Sequence, residues 1–199
     1  MLIDAHVHVF PKVDGYGPKG HTHSAGYGRI DFGDGIAQDV LPAINENTSH
    51  TVQMLLREMQ QGKVDKAVLI LCPCYGDWSE YVLQACRDYP EQFTASAFFD
   101  PWSPAARQYY AEKLEGPSWK NIKIEFSEAG GLYGVYPGVQ LDALELRWLW
   151  EAMEADGKTV SFDLGRPGDG SYQTKQIAAI AKRHPGLKIV LCHMGQPSR

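Results

Sequence analysis

Two histidines and an aspartate near the start of the chain have the types and spacing of a metal site. In the stretch MLIDAHVHVF, Asp4, His6 and His8 alternate with apolar residues at a period of two. A β-strand over residues 2–10 would direct the polar side chains to one face and the apolar side chains to the other. Two imidazoles on one face can direct their nitrogens to a single ion. The alternative is a pair of solvated histidines in an N-terminal strand.

More polar residues come at the ends of later predicted strands. Asp100, Glu125, Asp163 and His193 each follow or end a run of apolar, β-branched or aromatic residues. Functional residues at the C-terminal ends of several strands are the arrangement of a TIM-type barrel. A doubly wound nucleotide-binding fold would place a Gly-rich turn after the first strand, and the segment FPKVDGYGPKG has no G-x-G-x-x-G pattern. The barrel is therefore favoured.

The elements that would position these residues alternate between strand and helix. A Gly-rich polar passage over residues 11–47 follows the first strand and is long enough to form a lid. Thr48 or Ser49 is then predicted to cap a helix that ends at Gly62. Further strands are predicted at KAVLILCP, FTASAFFDP, NIKIEF, KTVSFDLG and KIVLCHMG, with a helix between each pair. Six strands separated by helices predict an α/β protein with a parallel sheet.

Composition excludes several classes of partner. The 199 residues carry a formal net charge of −5, with no basic stripe, which argues against nucleic acid or an anionic membrane surface as partner. No run approaches the ~20 apolar residues of a membrane span, and no signal peptide is visible. The four cysteines lack C-x-x-C spacing and are interpreted as reduced thiols of a cytoplasmic protein.

The motifs together resemble the amidohydrolase superfamily. The likeness rests on D-x-H-x-H in the first strand and on the phrases KIEFSEAGGLYGVYPG, FDLGRPG and HPGLKIVLCHMG. It is greatest to the amidohydrolase-related branch of hydrolases, decarboxylases and lactone hydrolases. The resemblance implies a (β/α)8 barrel in which His6 and His8 bind one divalent metal ion, usually zinc. It also implies that His193, the histidine of strand six, binds metal or handles a proton.

The sequence departs from that pattern in two places. Asp163 stands where the family usually has a metal-binding histidine, which makes manganese or magnesium alternatives to zinc and leaves open a site without metal. The aspartate that the family carries at the end of strand eight has no counterpart. About six of eight βα units are present, so residues 1–199 are interpreted as a single, incomplete barrel domain, truncated after strand six.

The implied chemistry assigns roles to the remaining candidates. Asp163 would take a proton from water, and His193 would return it to the leaving group. Arg166 is predicted to hold a substrate carboxylate, with a surface arginine as the alternative. Glu125 would contact substrate or metal, or else form a buried ion pair with Lys123. The remaining candidate, Tyr133, would stack on the substrate or order its own loop.

Three functional hypotheses follow. The first is a metal-dependent hydrolase, or a non-oxidative decarboxylase, acting on a small carboxylated or lactone substrate. The second is a metal-free lactonase-type hydrolase of the same fold. The third is a catalytically inactive barrel fragment that associates with another chain. Because strands one and six would have bare outer edges, we expect a homodimer, another chain, or residues 11–47 folded back to complete the barrel.

Overall fold

The structure is a computed structural model that describes residues 1–43 and 46–195. Its chain divides into two compact units, Met1–Ser96 and Ala97–Arg199, which are described in turn. The prediction of a single domain over residues 1–199 stays a prediction.

Three parallel strands and two helices of the first unit follow the predicted order. The unit contains β1 (Ile3–Val7), β2 (Asp14–Gly17), β3 (Gly20–Gly26), β4 (Arg29–Asp31), β5 (Ala37–Asp39), α1 (Val52–Gly62), β6 (Lys66–Ile70), α2 (Ser79–Asp88) and most of β7 (Phe93–Phe98). Strand β6 pairs in parallel with β1 on one side and with β7 on the other. Strand β1 is shorter than predicted, so that His6 lies within it and His8 just after it.

The N-cap of helix α1 lies two or three residues later than the sequence predicts. Its N-cap is Thr51, whose side-chain oxygen accepts a hydrogen bond from the backbone N–H of Met54 at 3.3 Å. Thr48 and Ser49 both precede the cap. Gly62 is the last helical residue, as predicted, and Lys63 turns the chain out of the helix in a left-handed conformation, with φ of 54°. The buried face consists of Val52, Leu55 and Met59.

Residues 11–43, predicted as an irregular polar passage, contain a four-stranded antiparallel sheet instead. Strands β2 to β5 pair in sequence order. The turn between β3 and β4 consists of Tyr27 and Gly28, both with positive φ (52° and 79°), which is the pattern of a tight hairpin turn. Beneath this sheet lies a core of Phe10, Val13 and Ile30. The passage is therefore an ordered part of the first unit.

The second unit continues the alternation of strand and helix. It contains α3 (Ala106–Tyr109), a π-helical turn (Tyr110–Leu114), β8 (Asn121–Glu125), α4 (Leu132–Val135), a 3-10 turn (Leu144–Leu146), α5 (Arg147–Ala155), β9 (Thr159–Asp163), α6 (Thr174–Arg183), β10 (Lys188–Leu191) and a final 3-10 turn (Cys192–Gly195). Strand β9 pairs in parallel with both β8 and β10, and Glu125 is in register with Asp163. Strands β8 and β9 therefore end at the same level.

Burial on both faces of these strands explains their sequence. On β8, Ile122 and Ile124 are fully buried, and so is Lys123 between them. Apolar side chains from α5 and α6 complete this core: Leu149, Trp150, Met153, Ile177 and Ile180. Near-continuous apolar runs are typical of parallel strands that are covered on both sides. The polar residues Lys123, Glu125 and Asp163 are exceptions that need partners.

Six parallel strands, in these two sets of three, confirm the predicted α/β class. Within residues 1–43 and 46–195, no helix has the length and apolar character needed to cross a membrane.

Candidate functional site

His6 and His8 converge as the alternation of β1 predicts. Their Nε2 atoms lie 3.2 Å apart, and the two rings meet edge to face with centroids 5.0 Å apart. Both side chains are half-buried, whereas Val7 and Val9 between and after them are buried. Two imidazole nitrogens bound to one zinc ion at ~2.0–2.1 Å, with a near-tetrahedral angle, lie ~3.3 Å apart. The observed separation therefore fits a pair of metal ligands.

The ring of His8 is held in one orientation by the neighbouring strand. Its Nδ1 lies 2.7 Å from the carbonyl oxygen of Ile70, at the end of β6. Because a carbonyl only accepts, Nδ1 carries the hydrogen and donates, and the lone pair is then on Nε2. A backbone partner of this kind on the far nitrogen is what usually orients a metal-binding histidine.

His50, in the segment that leads into α1, contacts the backbone that follows β1. Its Nδ1 donates to the backbone oxygen of His8 at 2.6 Å, and its Nε2 lies 3.0 Å from Glu58 Oε2. Backbone hydrogen bonds between Phe10 and His50 run in both directions. These contacts fix the chain immediately after β1, and so fix the backbone that carries His8.

A separate group of charged side chains lies at the ends of β8 and β9 in the second unit; we call it the Lys123 cluster. Lys123 Nζ is 2.8 Å from Glu125 Oε2 and 3.5 Å from Asp163 Oδ2. The Ser127 hydroxyl donates to Glu125 Oε1 at 2.7 Å. The Lys123 side chain is 2% exposed, and both carboxylates are buried. One ammonium thus compensates two buried negative charges.

His193 joins this cluster through Asp163, with Nε2 and Oδ2 3.1 Å apart. The imidazole is about half exposed, whereas its carboxylate partner is buried. His193 follows β10 and has a positive φ of 52°, as does Met194 with 54°. A buried carboxylate that orients an accessible imidazole is an arrangement for proton transfer. The contact between Asp163 and His193 thus has a geometry that suits the catalytic role predicted for them.

Next to this cluster is a thiol that burial keeps protonated. Cys192 is buried, and loss of hydration raises its pKa to about 11, with the carboxylates of Asp163 and Glu125 contributing and Lys123 opposing. A thiol with such a pKa is a poor nucleophile at neutral pH. The Cys192 side chain is therefore a packing residue at this position.

The three predicted substrate residues differ in their exposure and in their contacts. Arg166 is 79% exposed, and its Nε lies 3.7 Å from Asp169 Oδ2. Tyr133 packs edge to face on Phe126, with ring centroids 5.5 Å apart. Glu125 forms the buried ion pair with Lys123 that the sequence left open as an alternative.

Sequence reasoning missed the link from Lys123 to Asp163. The signal for it was available, because Lys123 and Glu125 share one parity on β8, and the next strand ends in another carboxylate. In the part of the chain that the structure describes, no group of three or more His, Cys, Asp or Glu side chains is arranged to hold a metal ion. The inclusion of Asp163 with His6 and His8 in one metal site stays a prediction.

Comparisons with known proteins agree with this fold. A family model described as Amidohydrolase matches residues 3–199. No curated protein sequence matches the chain. Among solved structures, an amidohydrolase from Burkholderia multivorans with bound zinc is 16% identical, with a TM-score of 0.60 over 99% of this chain and 59% of that one.

Two further solved structures have similar scores. A probable 2-pyrone-4,6-dicarboxylic acid hydrolase from Acinetobacter baumannii, with citric acid bound, is 15% identical, with a TM-score of 0.55 over 96% of this chain and 57% of that one. A 5-carboxyvanillate decarboxylase from Sphingomonas paucimobilis is 22% identical, with a TM-score of 0.52 over 74% and 53%. The chain thus spans between half and three fifths of each of these structures. The likeness confirms the fold, an incomplete (β/α)8 barrel.

Proposed function

We propose that this chain, which belongs to the amidohydrolase family, is a metal-dependent hydrolase or non-oxidative decarboxylase acting on a small carboxylated or lactone substrate. The observation that carries the metal dependence is the approach of His6 Nε2 to His8 Nε2, at 3.2 Å, with the His8 ring oriented by Ile70. The bound zinc of the Burkholderia amidohydrolase supports zinc as the ion. Manganese or magnesium would be favoured if a carboxylate such as Asp163 completes the ligand set.

His6 and His8 would hold the ion through their Nε2 lone pairs. Bound there, a divalent ion supplies a Lewis acid that polarises a carbonyl and lowers the pKa of bound water to ~7. The contribution of the chain is orientation. The Ile70 carbonyl keeps His8 in the tautomer whose lone pair is on Nε2, and His50 holds the His8 backbone in place.

Asp163 and His193 would handle the proton. The carboxylate accepts a proton directly or orients the imidazole, and the accessible ring of His193 donates a proton to the leaving group or to a substrate carbon. The Lys123 ammonium, 3.5 Å from Asp163 Oδ2, places a compensating positive charge beside this buried carboxylate.

Substrate recognition is proposed for Arg166, Glu125 and Tyr133. An exposed guanidinium can pair with a carboxylate through two parallel hydrogen bonds, which a lysine cannot reproduce. Two of the similar structures are named as enzymes for carboxylated compounds, a pyrone dicarboxylic acid and a carboxyvanillate. A carboxylated ring compound is therefore the substrate class that we propose to test first.

The experiment for the metal compares two pairs of histidines in the same H-x-H pattern. Purified protein is dialysed against zinc, and the bound metal is counted by elemental analysis. We expect about one zinc per chain, loss of that zinc in His6→Ala/His8→Ala, and retention in His21→Ala/His23→Ala. The second pair is the control, because His21 Nε2 is engaged by Asp14 Oδ1 at 2.9 Å. Equal zinc content in both double variants would contradict the proposal.

A metal-free lactonase-type hydrolase is the second candidate. It is favoured by the contacts of Asp163, whose carboxylate lies within 3.5 Å of Lys123 and 3.1 Å of His193 and can act as a base without an ion. Turnover of lactones and carboxylated phenols, measured with and without prolonged chelation, separates the two. Activity that survives complete metal removal and is lost in Asp163→Asn would favour this second candidate.

We also propose that the chain associates with a second copy of itself. Among the described residues, β6 is the one strand that pairs with β1, and β9 the one that pairs with β10. Apolar side chains of these two strands and of the residue before β1 are exposed: Leu2, Ile3, Val190 and Leu191. Sedimentation should give the mass of a dimer, and Val190→Lys/Leu191→Lys should reduce it to that of a monomer. A stable dimer without turnover of any compound would support the inactive, associating chain.

A cytoplasmic location is proposed on the state of the cysteines. All four lie in described residues and none forms a disulfide, which is usual for proteins of reducing compartments. Fractionation of cells that express the tagged protein tests this.

A further inference from the structure

Cys72 and Cys74 bring their sulfur atoms together in the loop that follows β6. The two Sγ atoms lie 3.0 Å apart. Cys72 is buried, and Cys74 is half-buried and reaches the surface. The approach results from a turn over residues 72–75, in which the N–H of Tyr75 donates to the Cys72 carbonyl at 3.1 Å. Pro73, in the second position of this turn, has a fixed φ that suits it.

The turn is held in place by β2 and β3 of the antiparallel sheet. The N–H of Tyr16 donates to the Pro73 carbonyl at 2.8 Å, and the N–H of Asp14 donates to the Tyr75 carbonyl at 3.1 Å. The Thr22 hydroxyl donates to the Cys74 carbonyl. A Cβ at Gly15 would collide with the carbonyls of residues 73 and 74, so only glycine permits this close approach. The two thiols are thus kept in proximity by contacts of their loop with the antiparallel sheet.

We infer that Cys72 and Cys74 are a redox modification site, which a hydroperoxide converts to an intramolecular disulfide. The Cys74 thiol releases its proton to solvent, and its Sγ attacks one oxygen of hydrogen peroxide. The O–O bond breaks, a sulfenic acid is left on Cys74, and the departing hydroxide takes up a proton to form water. The Sγ of Cys72 then attacks the sulfenic sulfur, which expels a second water. Sulfur loses two electrons in total, which the O–O bond accepts. The sulfur atoms need to approach by ~1 Å to reach bonding distance.

The other two cysteines lack a partner thiol and are chemically protected. Burial raises the pKa of Cys86 to about 11, and it raises that of Cys192 to about 11 as well. Both remain thiols at neutral pH and react slowly with peroxide. The protein therefore contains its own controls, two cysteines expected to oxidise and two expected not to.

The Cys72–Cys74 pair lies in the same turn as Tyr75, whose ring contacts two other rings. The ring of Tyr75 stacks on Phe10 with centroids 4.3 Å apart and lies 5.2 Å from the ring of His8. A disulfide in the 72–75 turn forms beside these rings. The inference itself does not depend on metal binding, since it concerns only the two thiols and their oxidant.

The test counts thiols residue by residue in the wild-type chain. Reduced protein is treated with a few equivalents of hydrogen peroxide and alkylated, and is then digested with trypsin and an enzyme that cuts after glutamate. Cys72 and Cys74 fall on peptide 67–80, Cys86 on 81–87 and Cys192 on 189–199. We expect neither cysteine of peptide 67–80 to be alkylated, and the peptide to be about 2 Da lighter than its form with two free thiols. The other two peptides should stay fully alkylated. Dithiothreitol should reverse the change.

Two variants complete the test. In Cys72→Ser, Cys74 should stop at the sulfenic acid, which dimedone traps, whereas Cys86→Ser should still form the disulfide. Equal oxidation of all four cysteines, disulfides between chains, or peptide 67–80 unchanged at doses that modify Cys86 would each overturn the inference. The wild-type result stands even if a variant fails to fold.

Discussion

Replacing Lys123 with methionine is the most direct test of how the charges in the second unit are balanced. The side chain is 2% exposed and lies 2.8 Å from Glu125 and 3.5 Å from Asp163. Methionine fills a similar volume without the charge, so the variant leaves two buried carboxylates with less compensation. Asp163 keeps His193 at 3.1 Å, and Glu125 keeps the Ser127 hydroxyl at 2.7 Å. Glu125 therefore loses the most.

The size of the effect has an upper bound, because a carboxylate without a cation can take up a proton instead. Protonating a carboxyl group of ordinary pKa, ~4, at pH 7 costs ~4 kcal/mol, since one pKa unit corresponds to ~1.36 kcal/mol. Breaking a buried ion pair by removing one partner generally costs ~3–5 kcal/mol. Within that bound, we expect Lys123→Met to lower the free energy of unfolding by ~3–4 kcal/mol at pH 7.

The stability deficit of Lys123→Met depends on pH. The folded variant binds a proton that the unfolded chain has released at pH 7, so its stability relative to wild type rises as the pH falls. Each pH unit lowers the cost of protonation by ~1.36 kcal/mol. The deficit should therefore shrink by ~2–3 kcal/mol between pH 7 and pH 5.

Urea denaturation followed by tryptophan fluorescence measures this deficit. Four of the five tryptophans, at positions 102, 119, 148 and 150, lie in the same unit as Lys123. Lys158→Met is the matched control, because this equally buried lysine donates to the carbonyls of Gly116 and Trp119 at 2.7 and 3.0 Å. Lys158→Met should lower the free energy of unfolding by ~1–3 kcal/mol, and this deficit should change little from pH 7 to pH 5. A Lys123→Met deficit below 1 kcal/mol, or one that is equal at both pH values, would refute the reasoning.

Three further substitutions test other parts of the fold by the same denaturation measurement. Thr51→Ala removes the cap of α1 and should cost ~0.5–2 kcal/mol, whereas Thr51→Ser should cost less; equal losses would show that the hydroxyl does not cap. Leu149→Ala, at a position with no exposed surface, should cost ~2–5 kcal/mol; a loss under 1 kcal/mol would place Leu149 outside the core. Gly131→Ala puts a Cβ 2.7 Å from the backbone nitrogen of Ser127 and against the Glu125 carbonyl, so it should lower the free energy of unfolding by ~1–3 kcal/mol. Gly138→Ala is the comparison, because a Cβ there meets nothing within 4 Å while φ is 87°. It measures backbone strain without a collision.

The parallel strands and most helices could be predicted from the sequence because their patterns are strong and local. Runs such as NIKIEF and KTVSFDLG are apolar and β-branched and are bounded by turn residues, and each is a strand in the structure. The antiparallel sheet was missed because its strands are only three to seven residues long, and because β2 and β3 carry glycines, which usually mark loops. The sequence did contain one signal for this sheet, because Tyr27 and Gly28 form a two-residue connection between β3 and β4.

The candidate site was predictable where one strand carries all of its members. His6 and His8 share the face of β1, so their approach follows from a period of two. The contact between Lys123 and Asp163 depends on the register of two strands that are separated by a long stretch of sequence. Side-chain exposure is also a tertiary property, which is why the sequence could not distinguish an exposed Arg166 from a buried one.

The antiparallel sheet also bears on how the first unit folds. Pairing β1 with β6 closes a loop of about 58 residues, from the end of one strand to the start of the other. Strands β2 to β5 form through short hairpin connections, which close in microseconds, well before such a long loop. Once formed, they remove roughly 26 residues from the flexible length and so lower the entropic cost of closure by ~0.5 kcal/mol. A segment that reads as a loop in the sequence thus shortens the search by which the first strand finds its neighbour.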